Sequence, residues 1–369
     1  MTASLFILFC FLPTTGFSEK QESEEAAARK AMEARGRTEI LSYFLGDFKD
    51  TGAVKTPFAI DLYNQAVEFY RKKEYELARQ VLQDSLSYDA KNPFALELLG
   101  DIDYYEQKLD EAKEHYQEAL RLRPRKELKE KILRIEKERV VESGLATYQG
   151  EHFLIKYGGE EKGLEGFELR EHLGNAYREV GQDLGYFFKH KVVVLLYDEK
   201  EYRELSGAPH WSGGIYDGKI RLPAYKKGFA PKEIEKIMRH ELTHAFVGEI
   251  SRGRCPMWLN EGLAVYEESK VEPPDLEVFQ AALRLNTLIP LPELFEKKRL
   301  DEKMDPLEVK LFYDESYQLV HYLAERYGRF RIKTMLELYG EGKDTLDVIK
   351  EALKTSPLEL ERQWKDAVT

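Results

Sequence analysis

Residues 231–250 read PKEIEKIMRHELTHAFVGEI, and this stretch carries both a helical period and a chemical motif. Ile234, Ile237, Met238, Leu242 and Phe246 recur at the spacing of one helix face. Pro231 suits a first helical position, where its missing N–H costs nothing. His240 and His244 are four residues apart, so on a helix both imidazoles share a face and can grip one metal ion. Glu241 lies one step round, poorly aimed to coordinate that metal but able to reach a water on it.

A zinc site needs a further protein ligand. Glu261 follows His244 by 17 residues, inside Trp258-Leu259-Asn260-Glu261-Gly262-Leu263-Ala264. A second helix carrying Glu261 can meet the first and leave one position open for water. HELTH (240–244) together with WLNEGLAVYEE (258–268) resembles the zinc helices of gluzincin metallopeptidases, in particular the aminopeptidase-N-like enzymes and the peptidase MA-like domains. The resemblance runs from about residue 150 to the end and is specific at those two motifs. It implies a Zn2+ cofactor, Glu261 as third ligand beside His240 and His244, and peptide-bond hydrolysis in protein or peptide substrates. By the same resemblance Glu268 matches a family carboxylate that supports a ligand histidine, with Glu267 the competing candidate. In FYDESY (312–317), Tyr313 falls on the family tyrosine that donates to the oxyanion, and Tyr317, one turn on, is the fallback. The histidines at 152, 172, 190, 210 and 321 have no ligand-like spacing.

One departure bears on the activity. The Gly-x-Met-Glu-Asn segment that holds the substrate's free amino group in the aminopeptidases does not occur. In its place GGIYDGKIRL (213–222) sets two short alternating runs about Asp217-Gly218, a signal for a two-residue hairpin. In zincins the strand nearest the metal pairs with extended substrate. Gly213 and Gly214 would permit such an approach, and with Tyr216 they form the expected substrate-binding strand. This favours an endopeptidase, or a narrow processing enzyme.

Before this hairpin, HFLIKY (152–157) alternates like a strand, 167–187 reads as a helix, KVVVLLY (191–197) as a buried strand and 199–205 as a short helix. From about residue 274 the chain reads as helical. The expected peptidase domain, residues 150–369, is therefore an α+β domain of zincin type, a mixed-sheet lobe plus a helical lobe.

Residues 56–142 repeat themselves. Leu62, Ala66, Ala78, Leu82, Ser85 and Ala90 recur 34 residues later as Leu96, Gly100, Ala112, Tyr116, Ala119 and Pro124. The period and the small residues at crossing points resemble the tetratricopeptide repeat. Two repeats bury little surface alone, so an all-α module is expected in which Lys126 to Val141 caps the stack with Leu128, Ile132 and Ile135 inward. Its concave face would recruit substrate or a protein partner.

The first eighteen residues contain the apolar run LFILFCFL (5–12), too short to span a bilayer and similar to a secretory signal core, with Gly16 and Ser18 small enough for cleavage. No Lys or Arg precedes the run, which keeps an uncleaved N-terminal anchor as the alternative. An exported protein, periplasmic or extracellular, is expected, with no transmembrane span in the mature chain and a charged helical leader over 19–55. Cys255 would then be the sole cysteine, without a disulfide partner, and reads as a packing residue. A net charge of −11 argues against a nucleic-acid partner. A hydrophobic content of 43% suffices for packed domains. The rival reading is an envelope-assembly scaffold or chaperone whose peptidase site is vestigial or secondary.

Overall fold

The computed structural model describes residues 57–158, 164–206, 214–223, 231–297, 300 and 304–369. The expected signal peptide and leader, His210 and Gly213 lie outside them. The described chain falls into two compact units, one of residues 57–144 with 189–193, the other of 145–188 with 194–369.

The first unit is helical: α1 (Pro57–Arg71), α2 (Tyr75–Tyr88), α3 (Pro93–Tyr105), α4 (Leu109–Leu122) and α5 (Lys126–Glu142). The 34-residue period is present in its backbone. Lys73 and Gln107 close the α1–α2 and α3–α4 turns, both left-handed at φ 56° and 65°. Asp89 and Arg123 end α2 and α4 with nearly equal angles, φ −139° and −141°. Where Ala66 and Leu82 are buried in the first repeat, the second has Gly100 and Tyr116, and a Cβ on Gly100 would lie 2.5 Å from the Tyr116 ring. The larger side chain on one helix is matched by the smaller on the other. Asn92 starts α3 by accepting hydrogen bonds from the N–H of Phe94 and Ala95 at 3.0 and 3.2 Å.

No repeat completes its own core. Ala95, Leu98, Leu99 and Ile102 of α3 join Ala66, Ala78 and Leu82, whereas Leu96 on another face of α3 joins Ala112, Tyr116 and Ala119. That second cluster is closed by Leu128, Ile132 and Ile135 of α5, the three residues expected to cap the stack. Polar crosslinks follow the same seams: the Tyr104 hydroxyl donates to Glu138 at 2.8 Å, and the Gln107 amide donates to the buried Glu142.

The second unit contains, but for Val192 and Val193, a five-stranded sheet of β1 (Ala146–Gln149), β2 (Phe153–Tyr157), β3 (Val192–Tyr197), β4 (Ile215–Tyr216) and β5 (Ile220–Pro223), in the order β1-β2-β3-β5-β4. β3 and β5 run parallel, while β1–β2 and β4–β5 are antiparallel, so the sheet is mixed. Every residue of β3 is buried, as its unbroken apolar run requires. The helices are α6 (Leu164–Leu184), α7 (Glu199–Ser206), α8 (Pro231–Ile250), α9 (Met257–Glu268), α10 (Glu277–Leu285), α11 (Leu291–Glu296), α12 (Pro306–Tyr327), α13 (Arg329–Gly340), α14 (Thr345–Val348) with a π turn (Ile349–Leu353), and α15 (Pro357–Val368). α8 is central: it packs on α6, α9, β4 and β5. Met238, Leu242, Ala245 and Phe246 are its buried side, and Phe246 meets Tyr177 of α6 at a ring separation of 5.5 Å.

Two features differ from the sequence reading. β1 is an additional strand, whose residues alternate half-buried and exposed without an apolar run to mark it. The hairpin loop has three residues, 217–219, because Tyr216 faces Ile220. A two-residue turn of the I′ type needs left-handed backbone at both positions, and only Gly218 adopts it, at φ 97°. Arg221, fully buried, folds back on the loop: its Nε donates to Asp217 at 3.2 Å and its Nη1 to the Tyr197 hydroxyl at 2.9 Å.

The paired turns of the helical unit give a direct test. A left-handed non-glycine residue costs about 1–2 kcal/mol. Lys73 sets against this a cation–π contact at 5.1 Å from the Tyr105 ring, worth roughly 0.5 kcal/mol at an exposed site. Lys73→Gly should therefore raise stability by up to about 1 kcal/mol. Gln107→Gly gains the same backbone relief but strips an amide donor from buried Glu142, a loss of roughly 1–3 kcal/mol that offsets it. Lys73→Gly should therefore have the higher urea midpoint of the two, and the reverse order would refute this.

Candidate metal centre

α8 ends where Arg252 and Gly253 turn left-handed, at φ 51° and 71°, with the Gly253 N–H reaching back to the Gly248 carbonyl at 2.8 Å. The chain reverses, Pro256 leads into α9, and α9 returns along α8 carrying Glu261. Nε2 of His240 and of His244 then lie 3.8 and 3.6 Å from Oε2 of Glu261, with the three ligand atoms within 4.8 Å of one another. These separations are too long for hydrogen bonds. They are close to the roughly 3.4 Å edge of a tetrahedron whose metal–ligand bonds are about 2.0–2.1 Å. Two imidazole nitrogens and a carboxylate oxygen so arranged fit a divalent metal ion. Among the described residues this is the one such group.

The surroundings set each ligand's protonation. Nδ1 of His240 is 3.2 Å from Oε2 of Glu268, and Lys236 lies 3.4 Å from the other oxygen of Glu268 and 3.3 Å from Glu272. Burial opposes a charge on His240, but the Glu268 hydrogen bond and the charges of Glu241, Glu261 and Glu268 outweigh it and raise its pKa to about 9. His244 goes the other way: burial lowers it, opposed by Glu261 and Asn260. Between Glu267 and Glu268, it is Glu268 that reaches the histidine. Glu267 is buried on another side of α9, with the Lys270 ammonium at 2.6 Å.

Glu241 is buried, with Oε2 lacking a hydrogen-bond partner. Burial foremost, with the charges of Glu261 and Glu268, raises it to about 7 against the pull of His240. Gly214, just before the edge strand β4, lies directly over it: a Cβ there would be 2.5 Å from Cγ and 2.7 Å from Cδ of Glu241. The Tyr216 ring instead lies against α8 at Gly248, one turn past His244, so this side chain packs the hairpin onto the helix.

α12 meets α9 at Gly262. A Cβ on Gly262 would be 2.4 Å from the Ser316 carbonyl oxygen and 2.7 Å from Val320, so the two backbones touch. One turn before Ser316, Tyr313 sits beside Glu261, and burial, then the charges of Glu261 and Glu241, drive its pKa far up, so it keeps its proton. Tyr317 packs its ring near His321, 5.9 Å away. Cys255 is half-buried, and burial together with the Glu261 charge holds it as a thiol. Asn260, Lys236 and Arg239 are the site's neighbours that motif reading passed over. Asn260 stands beside Glu261 in the quoted motif, whereas no sequence pattern singles out the other two.

Two helices contributing His240, His244 and Glu261, with a glutamate beside the first histidine, fit the HExxH…E pattern of a zinc site. The chain belongs to the Peptidase MA superfamily, whose family model matches residues 180–369. A tetratricopeptide-repeat model matches residues 93–126. No curated protein matches the chain. Membership suggests metallopeptidase activity and hence peptide substrates. Among the described residues no helix is long and apolar enough to cross a membrane.

The titration of this site predicts proton-linked metal uptake. His240 keeps its proton up to about pH 9 and Glu241 up to about pH 7. A ligand imidazole must be neutral at the coordinating nitrogen. At pH 8, between the two values, binding should release the His240 proton and, from a metal-bound water whose pKa falls towards about 7, most of a second. Affinity should climb by at least tenfold per pH unit through that region and less steeply above about 9. Calorimetry in buffers of different ionisation heat measures this directly, and a release near zero at pH 8 would contradict it.

Proposed function

We propose that this protein is a zinc-dependent endopeptidase, with the helical repeats recruiting its protein or peptide substrate. The observation carrying this reading is the convergence of His240, His244 and Glu261 with a buried carboxylate, Glu241, directly beneath the approach to an edge strand. A zinc ion bound by His240, His244 and Glu261 would supply Lewis acidity, lowering the pKa of water towards about 7 and polarising the scissile carbonyl. Glu241 takes the proton of the attacking water and delivers it to the leaving amine. Glu268 holds the His240 ring by its far nitrogen. Tyr313, which retains its proton, donates to the oxyanion of the tetrahedral intermediate.

β4 is the outer strand of the sheet. An extended substrate can add to such an edge through main-chain hydrogen bonds, next to the Gly214–Glu241 contact. Gly213, assigned to the same strand from the sequence, keeps that role as part of the proposal. Recognition through main chain on both sides of the cut requires no free terminus, which is why an endopeptidase is preferred.

The test uses peptides acetylated at the amino end and amidated at the carboxyl end. The wild type should cleave them internally. Glu241→Gln should slow hydrolysis by about 10²–10⁴-fold with zinc content and fold retained. Tyr313→Phe should lower kcat by roughly 10²–10³-fold with KM little changed. Cleavage confined to peptides with a free end would overturn the endopeptidase assignment, and full activity in Glu241→Gln the mechanism.

A second measurement addresses the strand. Gly214→Ala forces the Glu241 carboxylate aside, and a displacement of about 1 Å can cost 10²-fold. Hydrolysis should therefore fall by one to two orders of magnitude while zinc stays bound. Unchanged kcat in Gly214→Ala would show that the base tolerates a shifted position.

A further inference from the structure

Behind the ligands, α8 and α9 are linked by consecutive residues on both helices. His240 meets Glu268 at 3.2 Å. Its neighbour Arg239 meets Glu267, the neighbour of Glu268, through Nη1 and Oε2 at 3.9 Å. Arg239 is 3% exposed and Glu267 1%, so this pair is out of water and attracts through charge alone, Nη1 making no hydrogen bond. Nη2 of Arg239 also reaches Glu179 of α6 at 2.7 Å and Glu235, one turn earlier on α8, at 3.5 Å. From Glu267 the chain of charges continues through Lys270 to Asp183 of α6, and from Asp183 to Arg329 at the start of α13. One guanidinium thus faces carboxylates from three helices, immediately before the first ligand.

We propose that Arg239 is a positioning residue of the metal centre: through Glu267 and Glu179 it sets how α8 crosses α9 and α6, and so fixes the separation of His240 and His244 from Glu261. This rests on the reading of the site as a metal centre. The ligand atoms sit on two different helices, so their 3.6 and 3.8 Å separations are set by that crossing. Metal–ligand distances tolerate only about ±0.2 Å, so a helix shift too small to unfold the unit is enough to weaken the site. Thr243, between the histidines, donates its hydroxyl to the Arg239 carbonyl at 2.7 Å, and this ties the same turn of α8 together from its own backbone.

A role in stability alone and a role in positioning give different results. The variants are Arg239→Met and Glu267→Gln, with Leu360→Ala, a buried site on α15, as a control that lowers stability elsewhere. Zinc affinity is measured by competition with a chromophoric chelator, and ligand geometry by the visible spectrum of the cobalt(II)-loaded protein, at a temperature where circular dichroism shows each variant folded. Arg239→Met and Glu267→Gln should each lose about 10–100-fold in zinc affinity and shift the cobalt bands. The double variant should lose little more than Arg239→Met alone, since that substitution already breaks the pair with Glu267 along with those to Glu179 and Glu235. Leu360→Ala should melt earlier with affinity and bands unchanged. If Arg239→Met fails to fold, Glu267→Gln decides. Early melting with wild-type affinity and bands in the folded variants would overturn the proposal. A wild type that takes up no zinc would instead sink the metal-centre reading, and this inference with it.

Discussion

The approach of Gly262 to the Ser316 carbonyl is the constraint on which the site depends. Two helices whose backbones touch leave no freedom in the distance between them, and Glu261 is the next residue along. Because that distance is fixed, Tyr313, one turn before Ser316, meets the Glu261 carboxylate. Any side chain at 262 would push α12 away and take the phenol with it. The metal-binding face of α8 then needs only α9 to return beside it, which the left-handed residues Arg252 and Gly253 accomplish.

Charge is distributed around the site with a similar economy. Three carboxylates, Glu241, Glu261 and Glu268, surround His240, and together they draw its pKa up to about 9. Lys236 stands at Glu268 and Glu272 on the outer side, so the acidic excess is partly neutralised away from the ligands. Glu241 feels only the pull of His240, shared with the other two carboxylates, and makes no hydrogen bond through Oε2. Burial therefore decides its behaviour in the metal-free site, raising a carboxylic acid that ordinarily ionises near 4 to about 7.

Much of this was legible in the chain itself, wherever a periodicity or a fixed spacing carried the information. His240 and His244 declared a shared helix face, WLNEGLA supplied a partner for it, and the amphipathic spacing within Lys126 to Val141 put Leu128, Ile132 and Ile135 under the stack. The less visible features have no period. β1 lacks an apolar run because it is half-exposed. The hairpin loop gained a third residue because Asp217 does not turn left-handed with Gly218. Tyr216 lies against α8 at Gly248, and no local pattern told which side of the strand its ring would take. Arg239 was passed over for a related reason: its partners come from α6 and α9, and long-range pairing leaves no mark in local sequence.

The contact between Gly214 and Glu241 also has an entropic side. A glutamate free on a surface samples many rotamers, and immobilising it costs up to about 1.5–2 kcal/mol. With main chain lying against Cγ and Cδ, most of those rotamers are closed to Glu241 from the moment the strand docks on α8. The ordering is then a cost of folding the protein, met once by its cohesion, and is absent from the barrier of each turnover.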